Sequence, residues 1–109
     1  MKKTMLRIYS KVLHLLRDLK PVIAQIEVHD RDLARQLRRA ATSVALNMSE
    51  GAGNSGGTRR ERYRSALGSA RESEACLDAA VALGYVEQID AGLQDRLDHV
   101  RAVLVKVAV

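Results

Sequence analysis

The stretch Asp30–Glu61, DRDLARQLRRAATSVALNMSEGAGNSGGTRRE, decides the fold. Apolar residues over Leu33–Met48 recur at spacings of three and four, which is the period of one helix face. Asp30 is of a residue type preferred at a helix N-cap, and Gly51 can take the left-handed conformation that often ends a helix. We therefore predict a helix over residues 31–50.

Residues 51–57 (GAGNSGG) interrupt this pattern with four glycines in seven residues. Glycine loses much conformational freedom in a helix, so this composition predicts a flexible connection. Thr58 and Glu61 follow with the spacing of a capping box, in which each side chain bonds a free backbone N–H group of the other residue. The next helix is therefore predicted to begin at Thr58.

Apolar residues with the helical period also cover the rest of the chain. Three further helices are predicted over residues 4–27, 58–83 and 88–107. Gly84 is predicted to end the third helix. Pro21 lacks the backbone N–H group, so it predicts a kink, or a break followed by one more short helix. Because short connections place sequential helices side by side and antiparallel, we expect an all-α fold. The expected fold is a single up-down-up-down four-helix bundle over residues 1–109.

Composition bounds the compartment and the kind of partner. The chain has one cysteine among 109 residues and a formal net charge of +5. A single cysteine cannot form an intrachain disulfide, which fits a reducing compartment. We see no signal peptide and no apolar run that could span a membrane, so we expect a cytoplasmic protein without membrane contact. The basic charge favours an anionic partner, although a generally arginine-rich proteome would give the same charge without a binding role.

The motifs that usually carry chemistry are absent or out of context. Residues 51–56 match G-x-G-x-x-G, but dinucleotide binding needs a preceding strand, and here a predicted helix precedes. His14, His29 and His99 have no metal-ligand spacing. Cys76 falls in mid-helix and is interpreted as a packing residue. We therefore expect no catalytic residue, no metal and no cofactor, and hence no enzymatic activity.

Arginine is the distinctive residue type. Arg31, Arg35 and Arg38 step by four and three, so they share one helix face. A second basic group follows the glycines and consists of Arg59, Arg60, Arg62 and Arg64. Both groups are predicted to contact nucleic-acid phosphates, and the second lies beside backbone N–H groups that could hold an anion. The alternative is a solvated surface. Only three tyrosines are present, so binding through base stacking is not expected.

A polar edge runs beside the apolar stripe of the second helix and includes Arg39, Ser43, Asn47 and Glu50. On the third helix, Glu74 falls on the apolar stripe, where a carboxylate needs a partner. Folding the two helices back about the loop places position 39 opposite position 70. We therefore predict an Arg39–Glu74 ion pair inside a structural polar network of Arg39, Ser43, Asn47, Glu50 and Glu74. The alternative is that these polar groups form a ligand site.

Two stretches resemble the four-helix-bundle proteins encoded within intervening sequences of 23S ribosomal RNA genes. They are Gln36–Gly51 (QLRRAATSVALNMSEG) and Ala66–Leu77 (ALGSARESEACL), the second followed by Leu83–Tyr85. The resemblance extends from about Leu6 to Leu104. The chain departs from the pattern in its glycine-rich loop and in the loss of most aromatic residues after it, of which Tyr63 remains. The positions that fit the pattern are Arg39, Ala40, Ser43, Asn47, Glu50, Gly51, Gly68, Ser69, Glu72 and Glu74.

The resemblance implies an up-down-up-down bundle and a homo-oligomer. Related bundles, the accessory proteins of diversity-generating retroelements, assemble as basic pentamers and are thought to bind a reverse transcriptase and nucleic acid. Apolar residues outside the core stripes also favour self-association, and they are Leu13, Leu46, Leu83 and Val105. We expect a homo-oligomer, with a pentamer favoured, that binds RNA or DNA backbones. The alternative is a scaffold that binds a protein partner without contacting nucleic acid.

Overall fold

The computed structural model describes residues 3–109, and within this range it contains four α-helices and no strand. The helices are α1 (Lys3–His29), α2 (Arg31–Gly53), α3 (Gly56–Ala82) and α4 (Ala91–Val107). They pack into a body of 42 × 24 × 19 Å. The predicted all-α four-helix bundle is confirmed.

Side-chain pairs between helices show their relative directions. Glu50 of α2 contacts Arg62 of α3, whereas Gln36, earlier in α2, contacts Glu72, later in α3. These two helices therefore run in opposite directions. The pairs Lys11–His99 and Asp18–Arg96 show the same reversal between α1 and α4. The pairs Arg64–Ala108 and Glu74–Arg101 show it between α3 and α4. Each helix thus packs against two neighbours, and α2 with α3 makes the most extensive contact.

The apolar stripes of all four helices meet along the centre of the bundle. One cluster surrounds Leu19, Leu37 and Leu77, and the other surrounds Met48 and Leu104. These side chains are almost fully buried, and burial of each is worth about 1.5–3 kcal/mol relative to exposure. The helical period read from the sequence therefore identifies the core side of each helix.

Two predicted helix ends, at Asp30 and Gly84, are confirmed, whereas α4 begins at Ala91 and not at the predicted residue 88. The Asp30 and Asp90 carboxylates accept backbone N–H bonds, of 2.9 Å from Leu33 and 3.2 Å from Leu93, and so cap α2 and α4. Gly84 follows α3 with a φ of 75°. Its N–H donates to the Val81 carbonyl, in the turn that closes a helix with a left-handed glycine.

The predicted flexible connection over residues 51–57 is wrong. α2 continues to Gly53 and α3 begins at Gly56, so only Asn54 and Ser55 link the two helices. Gly56 has a φ of 60°, which lets the chain reverse in so short a link. The predicted capping box is also wrong, because Thr58 lies inside α3 and the N-cap is Ser55, which makes no side-chain capping bond.

The prediction that Gly51 ends α2 in a left-handed conformation is wrong. Gly51 is a buried residue inside α2 and does not have a positive φ. A Cβ atom at this position would lie 2.6 Å from Cε1 of the buried Tyr63 ring. Such a separation is far inside van der Waals contact. Gly51 therefore allows the Tyr63 ring to approach the α2 backbone closely.

Of the two alternatives predicted at Pro21, the break is excluded, because α1 runs from Lys3 to His29 without interruption. Pro21 is exposed, and so is Arg17, whose carbonyl would otherwise accept a bond from position 21. Water can therefore satisfy that carbonyl. The helix continues because its apolar stripe is buried both before and after Pro21 in the chain.

Candidate nucleic-acid interface

An exposed row of arginines follows the outer face of α2. Arg31, Arg35, Arg38 and Arg39 are all exposed, and we call them the α2 arginine stripe. Arg31, Arg35 and Arg39 are four residues apart, so each is about 6 Å further along the helix axis. Within residues 3–109, these three have no carboxylate partner within 4.0 Å. Their guanidinium groups can therefore meet an external anion.

Arg38 differs from the other members of the stripe. Its Nη2 lies 3.4 Å from Oε2 of Glu27 on α1, and both side chains are more than half exposed. Exposed pairs of this kind contribute about 0–1 kcal/mol, so a phosphate could compete for Arg38. The structure thus places the three arginines predicted on α2 on its outer surface, with Arg38 partly engaged.

The predicted Arg39–Glu74 ion pair is wrong. Glu74 forms an ion pair with Arg101 of α4, and Arg101 also lies 3.2 Å from Asp98. Glu74 therefore lies on the α4 side of α3, whereas Arg39 lies on the surface of α2. Arg39 joins the α2 arginine stripe and does not hold α2 against α3.

An open groove of about 520 Å³ separates α2 from α3 beside this stripe. Small residues, Ala40, Ser43 and Ser69, contribute to its lining and leave the space open. Arg35 and Arg39 line it together with two carboxylate residues, Asp32 and Glu72, and with Gln36. The groove is therefore of mixed charge, whereas the outer face of the stripe is basic.

Side-chain hydrogen bonds from Ser69 and from Gln36 join α2 to α3 along this groove, and Asn47 of α2 supports the first of them. Ser69 Oγ donates to Ser43 Oγ at 2.9 Å, and Asn47 Nδ2 donates to the same oxygen at 3.0 Å. Gln36 Nε2 donates to Glu72 Oε1 at 3.3 Å. Of the predicted polar network, Ser43 and Asn47 come together here. Glu50 instead contacts Arg62, and Glu74 lies on the other side of α3.

Sequence reasoning assigned no site role to the groove-lining residues Asp32, Ser69 and Glu72, although Ser69 and Glu72 fit the family pattern. A signal for them was present, because Asp32, Gln36, Arg39 and Ser43 step by four, three and four along α2. Ser69 and Glu72 follow the same spacing on α3. The pattern marks one side of each helix, but it does not show that the two sides face each other.

The four arginines near the start of α3 do not form the second stripe that was predicted. Arg62 pairs with Glu50 of α2, whereas Arg64 Nε donates to the Ala108 carbonyl at the end of α4. Arg59 Nε donates to the Asn54 carbonyl at 2.8 Å and so supports the link between α2 and α3. Only Arg60 has no such contact within the described chain. Arg62 and Arg64 therefore point in different directions from α3, Arg62 toward α2 and Arg64 toward the end of α4.

Cys76 is buried, and His29 and His99 are in contact with neighbouring side chains. Burial, and secondarily the charge of Glu72, raise the pKa of the Cys76 thiol, so the reactive thiolate is disfavoured. His29 stacks on Tyr85 with ring centroids 5.2 Å apart, and His99 accepts from Lys11 at 2.7 Å. Across residues 3–109, no three His, Cys, Asp or Glu side chains are grouped to hold a metal ion.

The chain matches the family described as 23S rRNA-intervening sequence protein over residues 4–106. It belongs to that family. The match spans all four helices of the bundle, including the α2 arginine stripe and the groove beside it. No curated protein and no solved structure was found to match this member of the 23S rRNA-intervening sequence family. In the part of the chain that the structure describes, no helix has both the length and the apolar character needed to cross a membrane.

Proposed function

We propose that this chain is a non-enzymatic protein that binds the phosphate backbone of RNA or DNA through the α2 arginine stripe. The observation that carries the proposal is the exposure of Arg31, Arg35 and Arg39 on one helix, without an ionic partner among residues 3–109. A guanidinium group offers a planar fork of N–H donors that fits a phosphate.

The groove beside the stripe directs where a backbone would lie. Asp32 of α2 and Glu72 of α3 place negative charge in the groove, which repels phosphates. A strand would therefore follow the outer face of α2 and would not enter the groove. Arg60 can add one contact near the start of α3, because it is exposed and makes no ion pair within the described residues.

Salt dependence tests backbone binding directly. Each neutralised phosphate contributes about 0.7–0.9 to the slope of log affinity against log salt. Three contacts then predict a slope of about −2 to −3, measured by fluorescence anisotropy of labelled RNA and labelled duplex DNA. An affinity that does not change between low and moderate salt would argue against phosphate contacts.

Charge reversal locates the binding surface. In Arg35→Glu/Arg39→Glu, we expect affinity to fall by about 100-fold or more, because each charge-assisted hydrogen bond contributes about 1.5–3 kcal/mol. The matched control is Arg71→Glu/Lys106→Glu, which makes the same charge change at exposed positions on α3 and α4. If both variants lose affinity equally, net charge rather than the stripe governs binding. Unchanged circular dichroism shows that each variant remains folded.

We further propose that the chain forms a homo-oligomer. The apolar residues predicted outside the core are exposed, with Leu46 at 62% and Leu83 at 59%, and exposed apolar side chains favour association. The pentamer remains the expected assembly. Light scattering would then give the mass of five chains, not the 12.0 kDa of one, and a mass of 12.0 kDa at micromolar concentration would contradict self-association.

A further inference from the structure

A second groove, between α1 and α2, has a different chemistry from the α2 arginine stripe. It encloses about 470 Å³, and its lining is mainly apolar. Leu16, Ile23, Ala24 and Ala41 supply apolar surface. Because the two alanines are small, the larger side chains around them leave the space open. We call this the α1–α2 groove.

Positive charge lies along the α1 edge of this groove. Arg17 and Lys20 line it and are exposed. Neither has a carboxylate within 4.0 Å among residues 3–109. On the opposite side, Arg38 is already held by Glu27 at 3.4 Å. The free charge at the groove is therefore carried by Arg17 and Lys20.

The dimensions of the α1–α2 groove suit a helix of a partner. Its lining on α1 extends from Leu16 to Glu27, which is about 16 Å at 1.5 Å per residue, or three helical turns. Leu13 is 38% exposed and Leu6 is 53% exposed. Leu13 lies seven residues before Lys20, and Leu6 lies seven residues before Leu13, so all three share one face of α1. The two leucines therefore extend the apolar surface toward the start of α1.

From this combination we infer that the α1–α2 groove binds an amphipathic helix of a partner protein. The apolar face of that helix covers Leu16 and Ala24, and its flanking Asp or Glu residues pair with Arg17 and Lys20. Helices bind grooves in this way through apolar residues at i, i+3, i+4 and i+7. A phosphate backbone does not fit this surface, because its charged groups would lose contact with water against an apolar lining that offers no hydrogen bonds in return. The inference does not depend on nucleic-acid binding at α2.

The test uses the full chain and a designed, fluorescein-labelled helical peptide. Its leucines follow i, i+3, i+4 and i+7, and glutamates flank them. One control peptide has the same composition in scrambled order, and another has lysine in place of every glutamate. We expect anisotropy to show saturable binding of the first peptide, with binding at least about tenfold weaker for both controls, because one lacks the apolar face and the other has the wrong charge.

Two variants of the chain identify the groove as the binding site. Arg17→Glu/Lys20→Glu reverses the free charge, and we expect binding of the glutamate peptide to weaken about tenfold. Ala24→Gln fills the groove at an exposed helix position with a good helix former, and it should weaken binding without loss of helicity. The Arg35→Glu/Arg39→Glu variant, altered on the other surface, should bind the peptide as the unaltered chain does.

Several results would overturn the inference. The first is equal binding of the scrambled peptide, and the second is no saturation up to millimolar concentration. The third is unchanged binding in both groove variants. If Ala24→Gln reduced the mass of the oligomer instead of peptide affinity, the groove would be an interface between copies of this chain. If Arg17→Glu/Lys20→Glu abolished RNA binding but left peptide binding intact, the groove would belong to the nucleic-acid surface.

Discussion

The seam between α2 and α3 is joined by different chemistry from the two seams that α4 makes. Between α2 and α3, Ser69 donates to Ser43 and the Tyr63 ring packs against Gly51, while the ion pair Arg62–Glu50 lies at the surface and is about half exposed. At α4, arginines make the contacts, and the pairs are Arg96–Asp18 with α1 and Arg101–Glu74 with α3.

This difference explains why arginines of similar appearance in the sequence have different environments. Arg96 and Arg101 are only about a third exposed, and each is held by a carboxylate on the neighbouring helix. Small residues line the α2–α3 seam, and Arg35 and Arg39 make no ion pair across it among residues 3–109, so both remain on the surface. Free and engaged arginines should therefore respond differently to substitution.

The largest expected effect is at the close approach in the α2–α3 seam. In Gly51→Ala, the new methyl group would overlap the Tyr63 ring, and overpacking of this kind costs about 2–3 kcal/mol of the free energy of unfolding. Urea denaturation measures the loss at a fixed protein concentration, because self-association shifts apparent stability.

Gly53→Ala is the matched control for Gly51→Ala. Nothing lies within 4 Å of a Cβ atom at Gly53, so this change should be neutral or stabilising by up to about 1 kcal/mol. Equal stability of the two variants would show that Tyr63 does not pack against α2 as described.

An intermediate effect is expected in the charged seam. Arg101→Ala leaves the Glu74 carboxylate without its partner, and both side chains are about 30% exposed, at 32% and 29%. We expect a loss of about 1–2 kcal/mol, at the lower end for a charged hydrogen bond because solvent screens the pair.

Arg35→Ala removes a free arginine and is the control for Arg101→Ala. It should change stability by no more than about 0.5 kcal/mol. Thermal unfolding of both variants at low and high salt checks the comparison. Salt screens the Arg101–Glu74 pair, so it should reduce the difference in stability between the two variants. A larger loss in Arg35→Ala would mean that the α2 arginine stripe supports the fold.

The smallest expected effect is in the neutral hydrogen bonds of the α2–α3 seam. Ser43→Ala removes the oxygen that accepts from both Ser69 and Asn47, which should cost about 1 kcal/mol. In Ser73→Ala, the lost bond is a local one to the Ser69 carbonyl, and the change should be close to neutral. Chemical denaturation that ranks the two variants in the opposite order would show that the seam does not depend on Ser43.

Features that depend on neighbouring residues could be predicted from the sequence. The Asp30 cap and the Gly84 turn are formed by bonds within a few residues, so local residue types specify them. The glycine stretch was predicted wrongly, because packing of Tyr63 against Gly51 supports a helix where propensity alone opposes one.

The partner of Glu74 shows the limit of the same reasoning. Placing position 39 opposite position 70 agrees with the observed Ser43–Ser69 and Gln36–Glu72 contacts. The register of α2 against α3 was therefore close to correct. The predicted ion pair failed because the rotation of α3 turns Glu74 toward Arg101 of α4.

The sequence by itself determined the number of helices, two of their ends and the side of each helix that faces the core. Helical periodicity and capping bonds act within one segment, so one segment is enough to specify them. Only the tertiary structure decided which arginines are free and which are engaged. That choice depends on which neighbouring helix each side chain meets, and the rotation and packing of all four helices set it together.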